Sequence, residues 1–346
     1  MVASSVAALT IAFLGLSQFD LPITRYVRSV TIHRPWDQLT IPWMAFTSNA
    51  GDWIGEGTHL VAFSIVLTAA GWMFSKTTVR NAGIETLLAH GLAALLVNGL
   101  KHLIGRPRPK FVHSGEWQFA PSWVSGYDSF PSGHSAASFA VATVLAKRFP
   151  ALAPICLGIA SFVVLSRILR GSHFPTDVLG GAVFGIVSGS IAAAPLKQWR
   201  HSLHEGILHA ALGACAAFAF LWVISRPADA GLSGILLTGL GLVSMASGLW
   251  LRRSEWAGNG RSRAASSAAA SVILIAYGLA AMTTSLYVLA AAGFACLAYW
   301  LNRMLAAEQE QSSASAWPAM RESAVLVGVL LALFLFYNGR GIMPFR

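Results

Sequence analysis

Long apolar stretches, separated by short polar ones, run through the whole chain. Two of them, 207–225 and 231–251, show no polar face at the helical period. An apolar helix of about 20 residues is long enough to span the hydrocarbon core of a bilayer. The pattern therefore predicts about eleven membrane-spanning helices, near residues 3–19, 58–74, 84–104, 133–149, 151–170, 174–194, 207–225, 229–251, 265–282, 284–302 and 322–338.

The polar stretches between these helices divide the chain into two predicted regions. A polar, basic stretch at 195–204 follows the sixth helix, and we place a domain boundary there. Residues 1–200 form the first predicted domain, with a six-helix core, and 201–346 add about five further helices. The stretch 20–57 carries three tryptophans among scattered charges, which predicts a segment lying along the membrane surface. The predicted fold class is an all-α, polytopic membrane bundle.

Glycines recur at every fourth position in the sixth predicted helix, at Gly181, Gly185 and Gly189. Small residues at this spacing lie on one helix face and allow the backbone of a neighbouring helix to approach closely. The pattern predicts tight helix packing along this face.

The composition agrees with a membrane protein and narrows the range of partners. Charged residues make up 11% of the chain, whereas a typical soluble domain has about 25%. The net charge is +10, but no block of five or more Lys or Arg residues occurs. We therefore expect a lipid bilayer and an anionic substrate as partners, and no nucleic acid. The three cysteines have no metal-ligand spacing and predict neither a zinc site nor a disulfide.

The basic residues also predict the orientation of the chain in the membrane. Under the helix assignment above, the loop 252–263 carries four arginines and faces away from the functional clusters described next. Short loops that are rich in Lys and Arg stay in the cytoplasm. We therefore expect these clusters to face the extracytoplasmic side, in a bacterial inner membrane; the oligomeric state stays open.

The first cluster reads K-x6-R-P and consists of Lys101, Arg108 and Pro109. Lys101 lies at the end of the third predicted helix, which the following prolines stop from continuing. The two cations can therefore converge on an anion from the helix end and the adjoining turn. The alternative is a basic patch that contacts lipid phosphates at the membrane surface, for which Arg106 and Lys110 are the candidates.

The second cluster reads P-S-G-H and runs from Pro131 to His134, directly before an apolar helix. Backbone N–H groups at a helix N-terminus bind anions, and Gly133 leaves these groups accessible. Ser132 can donate a further hydrogen bond. The alternative is an ordinary helix cap with His134 at the membrane surface.

The third cluster reads S-R-x5-H-x3-D and consists of Ser166, Arg167, His173 and Asp177. Asp177 falls in the first turn of a predicted helix, where a carboxylate is favoured, so it can be a helix-start residue alone. It also lies four residues after His173, close enough to accept a proton from one imidazole nitrogen. The other nitrogen would then be free to act as a nucleophile.

Together the clusters specify eleven positions, in order and at set internal spacings. The chain resembles the type-2 phosphatidic acid phosphatase superfamily, which also includes vanadium haloperoxidases and bacterial acid phosphatases. The resemblance covers roughly 58–194, and none of the eleven positions departs from the family pattern. It implies a metal-independent lipid phosphatase that needs no cofactor.

The resemblance also implies a role for each matching residue. His173 would attack phosphorus to form a phosphohistidine, and Asp177 would raise its nucleophilicity. His134 would protonate the leaving oxygen and then activate water. The phosphoryl oxygens would be bound by the side chains of Lys101, Arg108, Ser132 and Arg167 and by the backbone N–H of Gly133.

The lipid substrate and the role of the C-terminal helices stay open. The family implies undecaprenyl diphosphate, phosphatidylglycerophosphate, phosphatidic acid or lipid A as substrate, and we favour undecaprenyl diphosphate. A phosphotransferase that passes phosphate to another lipid is the alternative; a haloperoxidase is disfavoured because those relatives are soluble. The C-terminal helices would form a module for lipid translocation or partner binding, or a packing extension.

Overall fold

The computed structural model describes residues 2–32, 38–112, 120–225 and 231–256, together with Leu274, Ile275, Gly278 and Met282. It divides into two compact units. One consists of Leu16–Ala210, and the other of Met1–Gly15 with Ala211–Arg346. The predicted helices near 284–302 and 322–338, and most of 265–282, lie outside the described residues. The predicted domain boundary at residue 200 stays a prediction.

The described chain is helical apart from one short antiparallel hairpin, in which Thr31 pairs with Leu39. This confirms the helical membrane-protein class. Single 3-10 turns follow α4, α5 and α7, at Pro109–Phe111, Pro150–Leu152 and Leu196–Gln198. In chain order the other elements are α1 Val2–Ser29, β1 Thr31–Ile32, β2 Gln38–Leu39, α2 Pro42–Ile54, α3 Gly57–Met73, α4 Thr77–Ile104, α5 Gly133–Arg148, α6 Ala153–Leu169, α7 Pro175–Ala192, α8 Trp199–Ser225 and α9 Gly231–Trp256.

The N-terminal part of the chain differs in detail from the sequence prediction. The first predicted helix, 3–19, continues to Ser29, so that a lone carboxylate at Asp20 lies within α1. The stretch 20–57 is therefore divided among the end of α1, the hairpin and α2. This division brings α2 against α6, which carries Ser166 and Arg167 of the third cluster.

Three helical stretches of the described chain are long and apolar enough to cross a membrane: Thr77–Phe111, Pro150–Leu169 and Pro175–Ala192. Helices α2 and α3 are bent by 53° and would add a fourth span if they cross together. Large apolar side chains such as Val66 and Leu95 are exposed on α3 and α4. Such a surface suits contact with lipid chains. The total of eleven spans stays a prediction.

Helix α5 is the central helix of the unit formed by Leu16–Ala210. It packs against α4, α6 and α7, and most of its residues are buried. Small side chains dominate its contact with α4, where the buried cluster consists of Ala89, Ala93, Val97, Ala136, Ala140 and Val144. Because these side chains are short, the polar ends of neighbouring helices come close together.

The glycine repeat of α7 faces α5, which confirms the predicted close packing. A Cβ atom added at Gly181, Gly185 or Gly189 would lie 2.3, 2.4 or 2.7 Å from a backbone carbonyl oxygen of α5. Any larger residue would therefore push the two helices apart. The contact holds the N-terminus of α5, with the second cluster, beside the start of α7, with Asp177 of the third cluster.

Candidate active site

A glycine in the left-handed conformation ends α4 and positions the first cluster. Gly105 has φ +59° and donates its N–H to Lys101 O at 2.9 Å. A Cβ atom here would lie 1.7 Å from Ala120 O, so only glycine fits. The chain then turns back, and Arg108 donates its N–H to Gly126 O at 2.8 Å.

Lys101 and Arg108 meet at a carboxylate outside the three clusters. Asp128 accepts two hydrogen bonds from Arg108, at 2.8 and 2.7 Å, and lies 3.8 Å from Lys101 Nζ. Burial raises the pKa of Asp128, but hydrogen bonding and the charges of both cations bring the net pKa below its usual range. Asp128 is therefore ionised at neutral pH. Its carboxylate occupies the two cationic groups, of Lys101 and Arg108, that are predicted to bind phosphate.

The start of α5, which carries the second cluster, lies next to residues of the first and third clusters. Ser132 is the N-cap residue and donates its backbone N–H to Asp177 O at 3.0 Å. A Cβ atom added at Gly133 would meet Lys101 Nζ at 3.8 Å. The Lys101 ammonium group therefore lies beside the positive end of a helix, in a place suited to an anion.

A second carboxylate, Asp52 of α2, gathers the cations on the other side of the site. Its Oδ1 forms an ion pair with Arg167, and its Oδ2 lies 3.1 Å from Arg170 Nη1. His134 Nε2 lies 3.5 Å from Asp52 Oδ1 and 3.4 Å from Glu56 Oε2. Both carboxylates would pair with a proton-bearing His134.

His173 has the geometry of a neutral imidazole with one free lone pair. Its Nδ1 lies 2.8 Å from the carbonyl oxygen of Ser129. A carbonyl oxygen can only accept, so Nδ1 carries the hydrogen and Nε2 carries the lone pair. Burial lowers the pKa of His173 to about 4, because an imidazolium would lose its hydration, and nearby arginine charges act in the same direction.

Asp177 contacts His173 differently from the sequence expectation of a direct hydrogen bond. Its Oδ2 accepts hydrogen bonds from Ser129 Oγ at 2.5 Å and from Phe174 N–H at 2.8 Å. The distance from Oδ2 to His173 Nδ1 is 3.8 Å. Asp177 therefore acts as a helix-start residue and also holds Ser129, whose carbonyl orients the imidazole.

The alternative interpretation, in which Arg106 contacts lipid phosphates at the membrane surface, is wrong. Arg106 is 5% exposed and forms an ion pair with Asp177 Oδ1. It also donates to Thr176 Oγ1 at 2.7 Å and to Asp20 Oδ2 at 2.9 Å. Asp20, fully buried, accepts from Thr176 N–H at 3.0 Å and from its hydroxyl at 2.6 Å. Burial of charge is tolerated here because each group is paired.

The structure thus brings all eight predicted site residues into one region and adds Asp20, Asp52, Arg106, Asp128 and Ser129. A carboxylate within an apolar helix costs free energy, so its presence usually indicates a functional role. Asp20 could therefore have been recognised from the sequence as a candidate site residue. The partners of Asp52 and Asp128 are distant along the chain, and no spacing rule predicts them. Among the described residues, no group of three or more His, Cys, Asp or Glu side chains could hold a metal ion.

Comparison with known proteins places this site in a family. A model of the PAP2 superfamily matches residues 82–200, a range that includes all three clusters. Phosphatidylglycerophosphatase B from Bacillus subtilis is 32% identical over 157 residues, which cover 42% of this chain and 72% of that protein. The chain belongs to the PAP2 superfamily. This confirms the resemblance and assigns the protein to the phosphatases that act on lipids.

Two other PAP2 relatives differ in the lipid that they are named for. A lipid A 1-phosphatase from Rhizobium johnstonii is 34% identical over 144 residues, which cover 38% of this chain and 59% of that protein. Undecaprenyl-diphosphatase BcrC from Bacillus subtilis is 31% identical over 135 residues, which cover 38% of this chain and 65% of that protein. The matched regions therefore span about three fifths of each relative, and the relatives agree on the reaction class while differing in substrate.

Proposed function

We propose that the protein removes phosphate from a lipid on the extracytoplasmic side of the membrane, through a phosphohistidine at His173. The observation that carries this proposal is the hydrogen bond from His173 Nδ1 to Ser129 O at 2.8 Å. It leaves Nε2 with an unshared electron pair, and a pKa of about 4 keeps the ring neutral at pH 7. A nucleophilic imidazole requires this unshared electron pair and a neutral ring.

In the first step, His173 Nε2 attacks phosphorus and the bond from phosphorus to the leaving oxygen breaks. Lys101, Arg108 and Arg167 neutralise the charge on the phosphoryl oxygens, assisted by Ser132 and the Gly133 N–H. The three cations now contact the carboxylates of Asp128 and Asp52. The phosphoryl oxygens take over these contacts when substrate binds, because they are the same kind of acceptor.

His134 transfers the protons in both steps. It protonates the leaving oxygen, so that the lipid departs as an alcohol or a protonated phosphate, and it then accepts a proton from water. That water attacks phosphorus, the bond to His173 Nε2 breaks, and inorganic phosphate leaves. Asp177, at 3.8 Å from His173 Nδ1, stabilises the positive charge that develops on the ring.

We further propose undecaprenyl diphosphate as the substrate, converted to undecaprenyl phosphate and inorganic phosphate in a bacterial inner membrane. A relative named as an undecaprenyl-diphosphatase supports this choice. The four arginines at the end of α9 and after it, Arg252, Arg253, Arg261 and Arg263, support the orientation, since short segments rich in Arg stay in the cytoplasm. Phosphatidylglycerophosphate and lipid A remain candidates because relatives are named for them. Phosphatidic acid remains a candidate from the family resemblance alone.

A panel of lipid phosphates tests the proposal and its alternative, a phosphotransferase. The full-length protein in neutral detergent, with a chelator present, is incubated with each lipid and a potential acceptor lipid. We expect inorganic phosphate to be released, with undecaprenyl diphosphate the best substrate. Appearance of phosphorylated acceptor in place of free phosphate would favour the phosphotransferase, and no reaction with any lipid would contradict the proposal.

The dependence of kcat/KM on pH reports the protonation of the two histidines. His173 must be neutral, so we expect the rate to fall as the pH drops through about 4 and not near the ordinary imidazole value of 6.5. His134 must be protonated for the first step, so the rate should also fall on the alkaline side. Rates measured between about pH 3 and pH 10 should form a bell. A profile without an acid limb would contradict the role of His173.

A further inference from the structure

Two carboxylates lie beside the proposed acid His134 because α2 and α3 meet at a bend of 53°. Asp52 is in the last turn of α2, and Glu56 is the N-cap residue of α3. A Cβ atom added at Gly55, between them, would lie 2.4 Å from Val163 Cγ1 and 3.3 Å from His134 Cδ2. Glycine therefore allows the bend to lie directly against α5 and α6.

The two oxygens of Asp52 have different partners. Oδ2 lies 3.1 Å from Arg170 Nη1, and this contact anchors the carboxylate at the end of α6. Oδ1 forms an ion pair with Arg167 and lies 3.5 Å from His134 Nε2. The same oxygen therefore lies close to a cation that is proposed to bind phosphate and to the proposed acid.

The contact between Asp52 and His134 is incomplete. His134 Nε2 is buried and has no hydrogen-bond partner among the described residues. The oxygens nearest to it, Asp52 Oδ1 and Glu56 Oε2, lie at 3.5 and 3.4 Å. A buried N–H group without an acceptor is unfavourable. A shift of Asp52 Oδ1 by about 0.5 Å would give an ordinary hydrogen bond, provided that Arg167 releases this oxygen.

The surroundings of His134 make a carboxylate partner important for its role as an acid. Burial and the positive charges of Lys101 and Arg170 oppose protonation of His134, whereas Glu56 favours it. Among the carboxylates with a described ion pair to His134, Asp52 is the one that also holds arginines. Further titratable side chains on or next to the helices that pack against α5 near its start are His59, His90, His102, Arg167, His173 and Asp177.

We propose that Asp52 is a positioning residue that changes its partner from Arg167 to His134 when phosphate binds. A phosphoryl oxygen replaces Asp52 Oδ1 at Arg167, and Oδ1 then accepts a hydrogen bond from His134 Nε2. An imidazolium has two N–H groups, so the Nδ1 proton remains for transfer to the leaving oxygen. Phosphate binding thereby favours the protonated acid. The inference rests on the proposed function and adds a residue that lies outside the three clusters.

Glu56 provides the comparison that isolates this change of partner. It lies 3.4 Å from His134 Nε2, and its described ion pairs include no arginine. A bound phosphate therefore has no cation to take from Glu56. The effect of Glu56 on the pKa of His134 should be the same with and without phosphate, whereas the effect of Asp52 should increase when phosphate binds.

The test measures the pKa of His134 by NMR in the full-length protein, with isotope-labelled histidine, in neutral detergent. Each protein is titrated with and without saturating inorganic phosphate, and the signal is assigned by its absence from His134→Ala. The variants are Asp52→Asn and Glu56→Gln. Glu205→Gln is the matched control, because Glu205 pairs with Lys147 at the other end of α5.

We expect phosphate to raise the pKa of His134 in the wild type by about one pH unit more than in Asp52→Asn, the usual effect of one nearby carboxylate. Glu56→Gln should lower the pKa equally in both states and keep the full rise on phosphate binding. Glu205→Gln should behave like the wild type.

An equal rise in the wild type and in folded Asp52→Asn would overturn the inference. So would loss of the rise in Glu56→Gln, or phosphate that binds the wild type without raising the pKa of His134; neither result requires Asp52→Asn to fold. If the wild type still hydrolyses lipid phosphates in these cases, the proposed function stands. A wild type that neither hydrolyses any lipid of the panel nor binds phosphate would overturn both.

Discussion

Replacing His173 by alanine is expected to reduce phosphate release by a factor on the order of 10⁴ or more, comparable to loss of the nucleophile in other covalent enzymes. The imidazole is the only side chain in the proposed mechanism that forms a bond to phosphorus. Its loss therefore removes the covalent route altogether. Release of inorganic phosphate from the best lipid of the panel measures the effect.

His201→Ala serves as the matched control for His173→Ala. The His201 side chain is exposed on α8 and pairs with Glu205 one turn away, so its loss should leave the rate unchanged. Thermal unfolding in detergent then shows whether each variant is folded. A folded His173→Ala protein that retains more than roughly a tenth of the wild-type rate would rule out the phosphohistidine mechanism, since such losses are far larger.

Replacing Arg106 by leucine is expected to have the largest effect on stability. Arg106 forms ion pairs with the buried carboxylates of Asp177 and Asp20. Removal of the guanidinium group would leave both carboxylates without this cationic partner. Removing one partner of a buried ion pair costs about 3–5 kcal/mol. We expect a marked fall in the unfolding temperature, together with loss of activity, because Asp177 would no longer hold Ser129 and the His173 ring.

Arg25→Leu is the control for Arg106→Leu, because Arg25 is exposed. The Asp20→Asn variant completes a double-mutant cycle. If Asp20 and Arg106 stabilise each other, the loss in the double variant should be smaller than the sum of the two single losses. Additive losses, or a cost below about 1 kcal/mol for Arg106→Leu, would contradict a buried network.

The sequence predicted most of the described helices and the close packing along the glycine face of α7, because both follow from local patterns. An uninterrupted apolar run of the right length has few alternatives to a membrane helix. Gly181, Gly185 and Gly189 lie on one face of α7 by helix geometry alone, and close packing follows from their size. Prediction is reliable where a pattern constrains the structure at short range.

Side-chain direction explains the error at Arg106. The stretch R-P-R-P contains two arginines, and nothing in its spacing states which one points towards α7. The left-handed turn at Gly105 decides this, because it sets the path of the chain after α4. As a result Arg106 is buried against Asp177, while Arg108 lies beside Asp128.

Long-range pairing explains the carboxylates that sequence analysis missed. Asp52 meets Arg167 from a position 115 residues away, and Asp20 meets Arg106 from 86 residues away. These pairs depend on how α1 and α2 pack, and a single sequence carries no sign of that packing. The same dependence applies to Ser129, whose carbonyl binds His173 across 44 residues.

The position of the phosphate on the enzyme during turnover tests the central claim most directly. His134→Ala lacks the acid of the first step and the base of the second, but the phosphate leaving group of a lipid diphosphate can depart without protonation. With that substrate the first step should continue while the second fails, so the phosphoenzyme should accumulate after mixing and rapid quenching. Peptide mapping under alkaline conditions should then locate an acid-labile phosphate on His173. Phosphate found on another residue, or no phosphoenzyme while phosphate release continues, would contradict the account.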